Sequence, residues 1–369
     1  MRKIAFYIDC MGLGGANRVM ANLVSYFHDA GYEVCLINDI QLTGEDEEYI
    51  LPDGISRYFI DNDCKHHNFL CKQLHRLKAI RDIIRANEAE VIVSFMGPPN
   101  IRMLMATLGM DVKRVVSVRN DPYREYGHGL KKALAGAIFT LADGCVFQTE
   151  EAMSYFPPSV RKKARVILNP VKEIFYQTER SEAVSDIVSV GRLFPQKNHE
   201  LLIKSFAKVA EIYPNENLYI YGEGPLRKEL QDLIEELNLQ NRVFLPGSTT
   251  NVNEKLCKAK LFVLSSDYEG MPNGLMEAMA CGVPVISTDC PCGGPRTLLG
   301  DNEYGLLTPC NSIEKLAEAI AIMLSDDCYD NYSHKARERS AIFEPELIFK
   351  QWEEYLFAEE DGRYEIDFT

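Results

Sequence analysis

Several classes of protein are excluded by what this chain lacks. No apolar run approaches the roughly 20 residues that cross a bilayer, and the opening MRKIAFYID (1–9) has no apolar core of the signal-peptide kind. A soluble, unprocessed, cytoplasmic protein is the expectation. No Cys/His group has zinc spacing, and the 11 cysteines follow no regular interval, which suits a reducing compartment better than a disulfide scaffold. The tight pair Cys290 and Cys292 reads as two small turn residues. There is no sequence repeat, no low-complexity tract and one tryptophan, Trp352. A basic stripe is also missing. Residues 1–170 carry 21 Lys and Arg against 20 Asp and Glu, and the remainder carries 19 against 34, within a net charge of −14. A near-neutral first half beside an acidic second half argues against a nucleic-acid partner.

What is present reads as α/β. A chain of 369 residues exceeds one domain of ordinary size, so two are expected. Short β-rich runs near 3–9, 33–38, 56–60, 90–95, 114–118, 144–147 and 165–168 alternate with helical stretches. After Asn169-Pro170 the sequence turns polar and restarts with DIVSVGR, and the rhythm repeats at 186–191, 217–221, 242–245, 260–264, 284–287 and 304–307. This pattern predicts two Rossmann-like domains with parallel sheets, 1–170 and 171–343. The last segment, PELIFKQWEEYLF (345–357), predicts an amphipathic helix around Trp352. In such folds a ligand binds at the carboxyl ends of strands, here in a cleft between the two domains.

Motifs fall at predicted strand ends. CMGLGGANRV (10–19) is a glycine-rich turn into a helix, where Gly14 and Gly15 let backbone approach phosphate. It lacks the full G-x-G-x-x-G spacing, which weakens an oxidoreductase reading. GRLFPQKN (191–198) puts Gly191, Arg192 and Lys197 on a loop whose two cations suit a diphosphate. YGEGPLRKEL (221–230) and LPGSTTNVNEKL (245–256) supply further turns. Most informative is EGMPNGLMEAMACGVPVI (269–286), read as turn into helix. Glu269 sits on the turn and Glu277 in the helix. Each carboxylate can accept from both hydroxyls of a vicinal diol, and the 271–275 backbone N–H groups lie between them. A rival metal-dependent reading would use Asp61-Asn62-Asp63 to hold a divalent ion.

GGANRV, SVGRLFPQKN, YGEGP and EGMPNGLMEAMACGVPVISTDCPCGGPRTLL together resemble the GT-B glycosyltransferases, in the large retaining family 4 of the "glycosyl transferases group 1" type. The resemblance implies two Rossmann-like domains facing a central cleft, with a final segment (344–369) crossing back to the N-terminal domain. It implies a hexosyl or N-acetylhexosaminyl transferase that uses a nucleotide-sugar donor, most commonly a UDP-sugar, retains configuration, and needs no metal or other cofactor. Glu269, Arg192 and Lys197 would be catalytic. Gly14, Gly15, Gly191, Gly222, Met271, Pro272, Asn273, Gly274, Leu275 and Glu277 would bind donor. Arg119, Asn120 and Asp121, in SVRNDPY, would lie on the acceptor side, where relatives often carry histidine. His128 nearby reads as a surface residue. The family often has Glu at the position of Asn17, whose role the sequence does not assign.

The acceptor would be a glycan or lipid-linked glycan in cell-surface polysaccharide or glycoconjugate synthesis. Basic groups in 64–85, 129–134 and 161–165 would lean on an anionic membrane surface, a peripheral position on the inner face of the cell membrane. A non-catalytic nucleotide-sugar-binding subunit of a glycan-assembly complex is the alternative from another class.

Overall fold

The computed structural model describes residues 1–43, 48–63, 68–180 and 185–357, apart from the side chains of 62, 63, 326 and 327. The chain divides into two compact units, Met1–Pro170 with Glu346–Thr369, and Val171–Pro345. Each is built on one parallel sheet. In the first, the strands are β1 (Lys3–Ile8), β2 (Glu33–Asn38), β3 (Ser56–Phe59), β4 (Val91–Phe95), β5 (Lys113–Ser117), β6 (Gly144–Phe147) and β7 (Ala164–Val166), ordered β3-β2-β1-β4-β5-β6-β7. In the second they are β8 (Ser185–Val190), β9 (Leu218–Tyr221), β10 (Val243–Gly247), β11 (Ala259–Leu264), β12 (Val285–Thr288) and β13 (Leu306–Thr308), ordered β10-β9-β8-β11-β12-β13.

Parallel strands covered on both faces must be apolar along their length, which is why KIAFYI, VIVSF and AKLFVL are almost wholly buried. Both sheets reverse their winding at the first strand, between β1 and β4 and between β8 and β11, and such switch points open a crevice at the carboxyl ends. Helix His199–Ile212 fills one side of the second sheet through Leu202, Ile203 and Phe206, which join Leu261, Val263 and Ile286 in one core.

Helix Pro345–Phe357 belongs to the first unit by its contacts. Trp352 is fully buried, 5.9 Å between ring centroids from Phe95. Tyr355 accepts from the Cys145 amide at 2.7 Å and donates to the Lys163 carbonyl. An added Cβ on Gly144 would lie 2.7 Å from the Tyr355 hydroxyl, so any larger residue there must displace that side chain. Lys113 donates to the carbonyls of Tyr355 and Leu356 at 3.0 and 2.8 Å, satisfying the helix's last acceptors. Glu353 accepts from Tyr32 at 2.6 Å and from Tyr26 at 3.2 Å. Among the described residues no helix is long and apolar enough to cross a membrane.

Because Trp352 fills the centre of the returning helix's contact, Trp352→Ala should cost the first unit about 3–5 kcal/mol. Urea denaturation followed by circular dichroism should show an earlier transition for that unit, and an unchanged curve would mean the helix contributes little to its stability.

Candidate functional site

In the second unit the site forms at the β8–β11 switch point. The loop after β8 runs through Gly191–Asn198, and the loop after β11 through Ser265–Pro272. They are stitched together by side chains and backbone. The Asp267 amide donates to the Gln196 carbonyl at 2.9 Å, Gln196 Nε2 to the Tyr268 carbonyl at 2.9 Å, Ser265 Oγ to the Lys197 carbonyl at 2.9 Å, and Asn198 Nδ2 to Asp267 Oδ1 at 2.7 Å. Asn198 also caps the following helix by accepting from the Leu201 amide, holding a left-handed backbone with φ 44°.

These contacts bring together Lys197 and Glu269, 72 residues apart in sequence. Lys197 Nζ lies 2.6 Å from Glu269 Oε1, and Ser266 Oγ donates to the same oxygen at 2.7 Å. Glu269 is only 7% exposed. A carboxylate so buried needs a cation and donors, and it has both. Lys197 keeps two further N–H groups, because an ammonium carries three. Its stem passes over Gly191, where an added Cβ would sit 3.3 Å from Lys197 Cδ and Cε. Neighbouring His199 is buried. Burial, then the Lys197 charge, push its pKa down to about 4, so it is neutral at physiological pH.

The two loops are set by close backbone approaches. Gly222, with φ 153°, has the Gly191 carbonyl oxygen 1.9 Å from where a Cβ would stand, and Gly224 has the Leu193 carbonyl oxygen at 2.4 Å. Gly294, in the CGGPR run, meets the Gly270 carbonyl oxygen at 1.8 Å. Packing alone therefore accounts for glycine at 222, whatever a ligand adds.

The remaining expected donor-side residues surround this core. Helix Asn273–Ala280 starts at Pro272 with no side-chain cap, and Gly274 lies near the Val190 carbonyl that ends β8. Met271, Pro272 and Leu275 are buried, Asn273 and Gly274 half-buried. Glu277 is buried on the same helix. Arg192 is not part of the Lys197–Glu269 cluster. It is exposed, its guanidinium 5.0 Å above the Phe194 ring. Cys290 and Cys292 are buried turn residues.

In the first unit, Gly14 and Gly15 start helix Gly15–Asp29 after β1. An added Cβ on Gly14 would meet nothing nearer than 3.8 Å, so packing does not demand glycine there. Asn17 has a clear local role: its Nδ2 donates to the Gly12 carbonyl at 2.7 Å and clasps the glycine turn. After β5, Arg119 is 7% exposed and Asp121 is buried. The Asp121 carboxylate caps helix Pro122–Tyr126 by accepting from the Tyr123 amide at 2.9 Å. Asn120 Oδ1 accepts from the Asp121 amide. His128 is exposed and stacks on Tyr123 at 5.0 Å. Glu125, one helical turn beyond Asp121, has both carboxyl oxygens buried.

Two other expectations meet local structure. Asp61 is held by Arg76 at 2.6 Å and Lys72 at 2.8 Å, so of the D-x-D triplet the one described side chain is already neutralised by cations. The side chains of Asn62 and Asp63 lie outside the described residues. On helix Phe69–Ala86, Lys72 and Arg76 turn inward to those carboxylates and Arg81 donates to the Ala106 and Leu108 carbonyls at 2.8 and 2.9 Å. Lys78 and Arg85 are exposed with Phe69, Leu70 and Leu74, and residues 64–67 lie outside the described residues.

A family model described as "Glycosyl transferases group 1" matches residues 171–341. An N-acetylgalactosamine-N,N'-diacetylbacillosaminyl-diphospho-undecaprenol 4-alpha-N-acetylgalactosaminyltransferase of Campylobacter jejuni is 30% identical over 377 residues, spanning 97% of this chain and all of its own length. Among solved structures, sucrose-phosphate synthase of Thermosynechococcus elongatus superposes with a TM-score of 0.81 at 20% identity, covering 95% of this chain and 97% of its own. Anabaena HepE, solved with UDP and glucose, gives 0.79 at 18%, covering 96% and 99%. At these identities the two structures establish a shared fold.

Burial raises Glu125 from 4.5 to about 7, partly opposed by the Tyr126 hydroxyl and reinforced by Asp121. A carboxyl raised in the folded state stabilises fully below its unfolded pKa, and that contribution is lost as pH rises through the folded value. Glu125→Gln should therefore be more stable than wild type above pH 7, by roughly 3 kcal/mol or less. The difference should shrink toward zero near pH 4.5, as read by thermal melts across that range. A pH-independent difference would show that Glu125 is not titrating in the fold.

Proposed function

The chain belongs to the glycosyl transferases group 1 family, with the GT-B fold, and from that premise we propose that it moves a hexosyl or N-acetylhexosaminyl group from a UDP-sugar to a hydroxyl of a lipid-linked glycan in cell-surface polysaccharide or glycoconjugate synthesis, with retention of configuration. The observation that carries this reading is the 2.6 Å contact of Lys197 with Glu269 at the β8–β11 switch point. It places a cation with unused donors beside a buried carboxylate, at the crevice where such a sheet receives its ligand. The relative from Campylobacter, whose name specifies a diphospho-undecaprenol acceptor, supports the lipid-linked class.

In this mechanism the donor diphosphate bonds to the two remaining Lys197 N–H groups, and Arg192 swings from Phe194 to add a second cation. As the anomeric bond breaks, negative charge grows on the leaving phosphate oxygens, where the preorganised Lys197 and the recruited Arg192 lower the barrier. The acceptor hydroxyl attacks from the departing group's own face and passes its proton to the leaving phosphate oxygen. Glu269, oriented by Ser266 and Lys197, holds a hydroxyl pair of the transferred sugar, and Glu277 holds the ribose diol. Backbone N–H groups of 271–275 meet oxygens between them. No metal takes part. For the first unit we infer an acceptor role carried by Arg119, Asn120 and Asp121 and a phosphate-binding role for the glycine turn at Gly14 and Gly15. Exposed Phe69, Leu70, Leu74, Leu130 and Leu134, with Lys78, Arg85 and Lys131 nearby in sequence, rest on an anionic lipid surface at the inner face of the membrane.

Wild-type protein incubated with a panel of nucleotide sugars should release nucleoside diphosphate from one of them, in EDTA as well as without it. Lys197→Ala should be slower by on the order of 10²–10³-fold. Release from no donor would sink the transfer reading, and loss in EDTA would sink its metal independence. Co-sedimentation with phosphatidylglycerol vesicles at low salt should fall when Phe69 and Leu70 are both changed to Asp, whereas equal binding by the variant would remove those side chains from the membrane contact.

A further inference from the structure

The first unit holds a charge that its own structure does not neutralise. Arg119 is 7% exposed, yet no carboxylate among the described residues lies within ion-pair distance of it. Its guanidinium donates to Ser117 Oγ at 3.3 Å and to Asn169 Oδ1, and lies 4.6 Å over the Phe95 ring. All three partners are neutral. Burial lowers its pKa to about 9, which still leaves it charged at neutral pH. Partly buried arginines of this unit are treated differently: Arg76 meets Asp61 and Asp39, and Arg102 meets Asp39. A buried, unpaired cation is costly in a fold, and such groups concentrate where a ligand supplies the missing charge.

The surroundings of Arg119 are the carboxyl ends of four adjacent strands. Phe95 closes β4, Ser117 closes β5, Gln148 follows β6 directly and Asn169 follows β7. This is the edge at which a parallel sheet binds ligands. Gln148 is 2% exposed and donates through Nε2 to the same Asn169 oxygen at 2.7 Å, while its Oε1 is buried without a partner. Side by side there stand a fork of cationic donors lacking an anion and an amide oxygen lacking a donor. An oxyanion alone would satisfy the first, and a neutral sugar alone the second.

We propose that Arg119 and Gln148 form a subsite for a phosphate-linked sugar, with the phosphate on the Arg119 guanidinium and a sugar hydroxyl donating to Gln148 Oε1. Planar guanidinium donors match phosphate oxygens in pairs. The identity of the ligand as a sugar phosphate rests on the glycosyltransferase reading, which it deepens by giving the expected acceptor-side position a chemical specificity. Two sources share this chemistry: the phosphate-linked sugar of a lipid-borne acceptor, and the sugar and diphosphate of the donor.

Gln148→Glu tests the subsite directly, because it places a counter-ion beside Arg119 without changing the size of the side chain. Full-length protein should melt at a higher temperature in this variant and bind glucose 1-phosphate at least tenfold more weakly by isothermal titration calorimetry. Arg119→Gln should weaken the same probe at least tenfold. UDP, which lacks the transferred sugar, should bind all three proteins within twofold if the acceptor fills the subsite, and should bind Arg119→Gln more weakly if the donor diphosphate does. Two further ligands identify the source. A selective loss for a short prenyl-diphospho-sugar assigns the subsite to the acceptor, and a selective loss for UDP-glucose assigns it to the donor. Glucose 1-phosphate binding within twofold of wild type in Gln148→Glu, or a lowered melting temperature in that variant, would overturn the proposal. UDP binding and Lys197-dependent donor hydrolysis are read on the wild-type protein alongside. Their failure would reject the glycosyltransferase reading, whereas their persistence with unaltered sugar-phosphate binding rejects the subsite alone.

Discussion

The ion pair between Lys197 and Glu269 is the contact on which the second unit's site depends. Its two members come from loops that follow different strands, β8 and β11, so the pair fixes the distance across the switch-point crevice. Removing Lys197 would leave Glu269 buried and uncompensated, which is more damaging than never having had the pair. Ser266 adds a second donor to the same carboxylate oxygen and the Asn198–Asp267 contact a second tie between the loops. The geometry at Glu269 is thus over-determined before any ligand arrives. A preorganised carboxylate and ammonium need no rearrangement when charge develops beside them.

Backbone contact does as much as side chains to set this arrangement. The Gly222–Gly191, Gly224–Leu193 and Gly294–Gly270 approaches are closer than any Cβ permits, and each involves a loop of the site. They bring the Arg192–Asn198 loop down on the end of β9 and seat the CGGPR turn against the peptide after Glu269. Side chains can relax by rotating, whereas peptide groups in contact cannot. The site is consequently held by the least adjustable part of the molecule, as a site needing sub-ångström placement requires.

The fold was legible because parallel, doubly covered strands leave an unmistakable trace: short apolar runs separated by helices, each found within a residue or two of its position. The helix 345–357 was legible for the related reason that its apolar stripe surrounds Trp352. Glu269 and Lys197 stood out individually through their motifs, but their contact spans 72 residues and no local pattern encodes it. Ser266 lies just past the apolar run 260–264 and carries no motif of its own. Asn17 could not be interpreted without seeing that its amide reaches back to Gly12. The basic helix shows the limit most clearly. Sequence counts Lys72 and Arg76 as surface charge, yet both turn to Asp61, because partner carboxylates on neighbouring strand ends decide where a long side chain goes.

Two opposite electrostatic solutions therefore coexist in one chain. In the second unit Lys197 is supplied with its own carboxylate, which holds its loop and leaves two ammonium donors in a fixed position. In the first, Arg119 has only neutral partners, and the sheet edge bears the cost of an unneutralised charge. The difference follows from what each position can tolerate. Lys197 is a flexible ammonium on a loop, which without Glu269 would extend to solvent and lose its geometry. Arg119 is confined by Phe95, Ser117 and Asn169 at the ends of three strands, so its direction is fixed by packing and a carboxylate would only compete with an incoming anion. Where the scaffold alone can aim a cation, leaving it unpaired strengthens its hold on a ligand. Where it cannot, a carboxylate must do the aiming.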